Sequence, residues 1–182
     1  MLYICDLLRQ VKDCITSELK ERNVWREATF AAFNLLPILH DILSMSRGTV
    51  QGDCNVRRRE CFRLAVIIYI TQLLGKFGLS MSPGKLYGFK LQTMLNGPEM
   101  LPTWGTSNIF LIWILTVGAS CSCVPGESRD HFTDLLSSVL HRAGITRFQD
   151  LVNLVYDFIW CDEALGSSFR CLEEKIMLPL WL

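Results

Sequence analysis

Arg58-Arg59-Glu60-Cys61-Phe62-Arg63-Leu64-Ala65-Val66-Ile67-Ile68-Tyr69-Ile70-Thr71-Gln72-Leu73-Leu74-Gly75-Lys76-Phe77 is the stretch whose reading decides the fold. Its first turn is charged, and every residue from Leu64 to Ile70 is apolar or aromatic. The β-branched run suits a buried strand as well as a helix, and periodicity alone does not separate the two. Length does. Apolar character resumes at Leu73 and Leu74 with neither Gly nor Pro before Gly75, which is too long for an ordinary strand. A helix that is apolar all round must be wrapped by others. The stretch therefore predicts a buried central helix.

Outward from it, the same reading gives helices on both sides. Ile4, Leu7, Leu8, Val11, Ile15 and Leu19 recur at helical spacing, so residues 2–22 form an amphipathic helix. Trp25 to Met45 is a second helical stretch, in which Pro37 forces a kink or a division into two helices. Ser46 to Asn55, with two glycines, reads as a loop. Beyond the centre, Gly78 to Ser82 is a break, and Ser82-Pro83 starts a helix that Asn96-Gly97-Pro98 ends. Glu99 to Gly105 is a loop, and Thr106 or Ser107 caps the apolar helix from Asn108 to Ala119. After the loop Cys121 to Glu127, Ser128 starts a helix with Phe132, Leu135, Leu136, Val139, Leu140 and Ala143 on one face. Thr146 and Gln149 have capping-box spacing ahead of Phe148, Leu151, Val152, Val155, Phe158 and Ile159. Gly166 and Ser167 precede a last helix to Ile176, and Leu178 to Leu182 is an apolar tail. Without strand alternation, repeats or low-complexity segments, the fold class is all-α: residues 1–182 form a single domain of about eight helices around the buried central one.

Composition narrows the function. The chain of 182 residues buries enough surface to need neither disulfide nor metal. It is 50% hydrophobic and 20% charged, with a formal net charge of zero. That balance lacks the basic excess of a nucleic-acid footprint, so direct nucleic-acid binding is not expected. Eight cysteines fall mostly within apolar helical patterns, where free Cys acts as a small hydrophobe. That usage fits a reduced, intracellular protein. No secretory signal is visible at the start. The apolar run Ile109 to Ala119 is eleven residues, short of the roughly 20 that span a bilayer. No membrane span is therefore expected.

Candidate chemistry is sparse. Cys121 and Cys123 are separated by one residue, where structural zinc sites use longer paired spacings, and no His or second Cys pair lies near them. His40, His131 and His141 are the only histidine bases, and the last two fall on different faces of one helix. No nucleophile elbow or phosphate-binding glycine motif occurs. Asp162-Glu163 and Glu173-Glu174 read as solvated helix faces rather than a magnesium cluster. Arg57-Arg58-Arg59 is followed at once by Glu60 and reads as a solvated helix start. No catalytic, cofactor-binding or metal-binding residue is expected, and the chain is not read as an enzyme. Trp25, Trp104, Trp113 and Trp160 are expected in the core or pinning loops, while Trp181 either packs back or meets a partner.

Three blocks carry a resemblance. Glu60-Cys61-Phe62-Arg63-Leu64-Ala65-Val66-Ile67-Ile68-Tyr69-Ile70 resembles the Arg-Leu-Ala helix of the fungal-specific transcription factor domain, the regulatory region of fungal binuclear-zinc-cluster transcription factors. Leu111-Ile112-Trp113-Ile114-Leu115-Thr116-Val117-Gly118-Ala119 is similar to that family's Leu-Trp-x-Leu-Phe-Val-Gly-Gly helix, with Gly-Gly replaced by Gly118-Ala119. Phe158-Ile159-Trp160-Cys161-Asp162, then Phe169-Arg170 and Leu172-Glu173-Glu174, is similar to its closing signature. The resemblance covers residues 58–176 and reaches residues 1–57 only loosely. It implies a nuclear regulatory or interaction domain in transcription regulation, acting by protein contact, self-association or effector sensing. The DNA-binding zinc cluster is lacking: Cys54 and Cys61 are spaced like part of one, but four of the six cysteines are missing. The resemblance implies structural roles for Arg63, Leu64, Ala65, Tyr69, Trp113, Gly118, Trp160 and Asp162. Two alternatives stand beside it. An all-α small-ligand binder or enzyme predicts converging polar groups with shifted pKa values. A membrane-associated helical protein predicts that Ile109 to Ala119 faces outward.

Overall fold

A computed structural model describes residues 2–45, 54–79, 84–96, 104–105 and 109–177. Among them the secondary structure is entirely helical: α1 (Leu2–Glu21), a 3-10 turn (Val24–Arg26), α2 (Ala28–Asn34), α3 (Leu36–Ser44), α4 (Cys54–Lys76), α5 (Gly84–Leu95), α6 (Ile109–Ser120), α7 (Gly126–Arg142), α8 (Phe148–Ile159), α9 (Asp162–Arg170) and α10 (Leu172–Met177). The all-α class holds. The expected breaks and caps at residues 80–83, 97–103 and 106–108, the loop at 46–53 and the apolar tail at 178–182 lie outside the described residues.

α4 is the central helix, buried without interruption from Cys61 to Thr71 and again at Leu73 and Leu74. α6 is buried from Leu111 to Ser120 and lies against it. Neither helix has a polar stripe, so each is enclosed on all sides. α3 and α5 cover α4, α7, α8 and α9 cover α6, and α1 lies outside α8. The outward-facing Ile109 to Ala119 that a membrane association predicts is overturned by this burial. No helix among the described residues is long and apolar enough to cross a membrane.

Pro37 divides its segment in two. α2 ends at Asn34 and α3 begins at Leu36 with the proline in its first turn, where a missing N–H costs no hydrogen bond. Several boundaries differ from the sequence reading. α4 begins at Cys54, so Cys54 and Asn55 are helical rather than loop. α7 begins at Gly126 with Pro125 as N-cap, two residues before Ser128, whose hydroxyl points inward and bonds Gln92 Oε1 at 2.8 Å. The capping box at Thr146 does not form. Arg147 is the N-cap and makes no side-chain capping bond. Its guanidinium instead clamps Asp150 at 2.8 and 2.9 Å, while Gln149 bonds Asn153. Gly166 and Ser167 lie inside α9, and the last helix follows them from Leu172.

Candidate functional site

Of the residues singled out in the three sequence blocks, Tyr69, Trp113 and Trp160 meet in the interior, Arg63, Leu64, Ala65 and Gly118 are buried, and Asp162 is half-buried. Arg63, on α4, is 6% exposed. Its guanidinium takes both carboxylate oxygens of Glu60, at 2.7 and 2.6 Å, and Nη1 reaches the Ile42 carbonyl on α3 at 3.4 Å. Glu60 in turn holds the arginine pKa above its ordinary value. The charge is therefore neutralised where it is buried, and it ties the third turn of α4 to the end of α3. Leu64 and Ala65 are fully enclosed beside it.

One turn and a half further along α4, Tyr69 bridges two tryptophans. Its ring centroid lies 5.6 Å from Trp113 on α6 and 6.2 Å from Trp160, just beyond α8. Phe62 and Phe158 close on the other sides of Trp113 at 5.6 and 5.8 Å, with tilted and edge-on geometries that suit aromatic quadrupoles. Trp113 Nε1–H donates to the Ile159 carbonyl at 2.6 Å. That bond satisfies one of the carbonyls left free at the end of α8. The Tyr69 hydroxyl lies near the Cys161 main chain but meets no partner in hydrogen-bond geometry. Burial pushes its pKa well above the ordinary value, and the Cys161 and Cys121 thiols add to the rise. The Trp160 indole N–H is also buried without a partner among the described residues.

Gly118 sets the spacing between α6 and α7. A Cβ there would stand 2.6 Å from the Phe132 ring. The second closing motif residue, Asp162, opens α9 and accepts hydrogen bonds from the Tyr156 hydroxyl and from Arg170 Nη2, the latter at 2.7 Å. Burial and this carboxylate push the Tyr156 pKa up to about 12.

What the arrangement can do chemically follows from its partners. The thiols inside it are poor nucleophiles, since burial pushes Cys61 and Cys161 up to about 12 and Cys121 well above the usual range. Cys123 rises to about 11 for the same reason and sets its thiol toward the Ile68 carbonyl. Among the described residues, no three His, Cys, Asp or Glu side chains gather as a metal would need. His40 is exposed beside Asp41, 3.7 Å away. The solvated arginine run is corrected in part: Arg58 is half-buried with its guanidinium 5.9 Å over Trp104, a buried side chain that pins the loop before α6.

Among the described residues, open grooves mark the surface, and three bear on function. One, of about 490 Å³, has Phe148 and Phe169 as its floor and Arg147 and Arg170 at its rim, each arginine already paired with an aspartate. A second, of about 420 Å³, runs between α1 and the α2–α3 pair. Tyr3 and Phe33 stand beside it, 66% and 81% exposed. The third, of about 310 Å³, lies between the end of α6, the start of α7 and the α9–α10 corner, and includes Ser120, Arg129 and Lys175. Sequence reasoning missed this last group because its members come from three separate elements. The one local signal was Pro125-Gly126, which begins α7 early enough to bring Arg129 into the first turn.

No protein-family model, curated protein or solved structure matches the chain.

Proposed function

We propose that this chain is a helical regulatory or interaction domain of the kind found in fungal transcription factors, acting in the nucleus through protein contact or effector sensing and not through bond-breaking chemistry. The observation that carries the reading is the meeting of all three resemblance blocks in one buried cluster, with Tyr69, Trp113 and Trp160 in mutual ring contact through Tyr69. Residues that share a motif because they share a scaffold should pack on one another, and these do. Arg63 and Asp162 act in the same way, each through a carboxylate–guanidinium pair, one inside α4 and one along α9. Nothing in the cluster requires a substrate.

Exposed apolar side chains support the contact role. Tyr3 and Phe33 flank one groove, and Leu86 and Phe89 stand on the outer side of α5. Such residues in groups mark surfaces that meet partners. The neutral net charge fits a chain that reads protein or effector rather than nucleic acid.

The test is a tethering assay. Residues 1–182 are fused to an unrelated DNA-binding domain upstream of a reporter gene in a fungal host, and reporter output is compared with that of the DNA-binding domain alone. The reading expects a several-fold change in either direction, reduced by Phe33→Asp or Phe89→Asp without loss of helix content. Output equal to the DNA-binding domain alone, with the fusion folded and nuclear, rejects it.

A further inference from the structure

The cleft between α6, α7 and the α9–α10 corner holds a cation, Arg129, with no counter-charge among the described residues. Arg129 folds back over the first turn of its own helix, with Nη2 4.0 Å from where a Cβ on Gly126 would stand. Its Nε is buried without a partner, and it forms no ion pair among the described residues. A guanidinium at that point lies at the positive end of a 17-residue helix. Like charges there repel, and an anion between them would be held by both. Pro125 caps α7, and a proline has no side-chain acceptor to offer the first-turn N–H groups.

A second observation is independent of the helix end. Ser120, the last residue of α6, borders the cleft, is 2% exposed, and has a hydroxyl with no partner. Its neighbours show the usual solution for a helical hydroxyl: Thr116 bonds the Ile112 carbonyl and Thr133 the Arg129 carbonyl, both at 2.8 Å. Ser120 has not taken that bond. A buried hydroxyl left open is destabilising, and an incoming acceptor offsets that loss. The carboxylates nearby do not answer this need. Asp130 is held at the rim by Lys175 Nζ at 3.0 Å, and Glu127 is exposed in the first turn.

We infer that this cleft binds a phosphoryl group, taken by the Arg129 guanidinium, the Ser120 hydroxyl and the first-turn amides of α7. A tetrahedral dianion supplies acceptors for all three at once. The same chemistry is offered by free phosphate and by a small phosphomonoester, and the cleft of about 310 Å³ leaves room beyond the phosphoryl group for an ester substituent. This inference stands apart from the regulatory reading and survives its failure.

The experiment titrates the full chain with inorganic phosphate and with glycerol phosphate at constant ionic strength, following binding by calorimetry and by the phosphorus resonance. Saturable binding of either is expected, the tighter of the two identifying the source. Arg129→Gln should weaken it by at least about tenfold, the loss of one charge-assisted hydrogen bond. Ser120→Ala should weaken it several-fold with helix content unchanged, and it decides the matter if Arg129→Gln fails to fold. Arg147→Gln, across the molecule and paired with Asp150, should change nothing. Absence of saturable binding, equal affinity in Ser120→Ala and the parent, or an equal loss in Arg147→Gln overturns the site.

Discussion

The α4–α6 seam and the α8–α9 corner both carry residues of the three sequence blocks, and they are built on opposite principles. The seam is dry: Phe62, Tyr69 and Trp113 interlock, and the Trp113 indole N–H is satisfied by the Ile159 carbonyl. The corner is wet: Tyr156, Asp162 and Arg170 form a network in which the arginine side chain is 64% exposed. Residues of equal prominence in the sequence should therefore differ several-fold in what they contribute. Burial sets the scale in the seam, and solvent screening limits it at the corner.

The seam offers the largest effect. Trp113→Ala removes a fully enclosed ring and strands the Ile159 carbonyl, and should cost about 3–5 kcal/mol. For a domain with the usual margin of stability, that leaves little or no cooperative transition in urea. Trp113→Phe keeps most of the apolar contact and should fall between. A Trp113→Ala variant within about 1 kcal/mol of the parent would end the description of the seam as the fold's centre.

Arg63→Ala comes next. Glu60, 17% exposed beside its arginine, would lose that partner in a largely buried setting, so the loss should approach about 3 kcal/mol. Replacing Glu60 as well should restore part of it, because the stranded carboxylate is then gone. The buried thiols give a pH test of the same region. Cys61 has an ordinary value near 9, pushed up to about 12 by burial. The unfolded chain thus releases this proton first, and stability should fall as pH rises from 9 toward 12, with no effect below 9. Between pH 9 and 10.5 this thiol alone should account for about 2 kcal/mol. Urea unfolding of Cys61→Ala at the two pH values should show a slope smaller by that amount. Gly118→Ala belongs in the same range. Its Cβ would press on the Phe132 ring at 2.6 Å, and overpacking of this kind costs about 1–3 kcal/mol. Phe132→Leu should relieve it.

The seam was legible in the sequence and the corner was not, for a physical reason. Leu64 to Ile70 and Ile109 to Ala119 are apolar on every face, and only enclosure by other helices suits such segments. Pro37 was equally readable, since its effect on a helix is local. Thr146 and Gln149 had the spacing of a cap, yet Arg147 found Asp150 and Gln149 found Asn153, so competing side-chain pairs took the bonds. Gly166 looked like a helix break because glycine weakens helices in general. Its place inside α9 depends on where the Asp162 carboxylate lies, which no local pattern states. Ser120, Arg129 and Lys175 are further examples: each is ordinary in its own segment, and only the packing of α6, α7 and α10 brings them to one cleft.

The smallest effect is also the most discriminating. Asp162→Ala should cost only about 1 kcal/mol, since the pair with Arg170 is largely solvated. Gly166→Ala should cost a similar amount, although alanine favours a helix over glycine by about 0.5–1 kcal/mol. The reason is that a Cβ at Gly166 would overlap Asp162 Oδ1 and drive the carboxylate from Tyr156 and Arg170. The two substitutions should therefore not add. With Asp162 already alanine there is no carboxylate to displace, and Gly166→Ala should become neutral or stabilising. The coupling, read from urea midpoints of the four proteins, should be about 1 kcal/mol or more. Additive losses would mean that Gly166 is excluded by something other than Asp162, and the corner would lose its standing as a network built around one carboxylate.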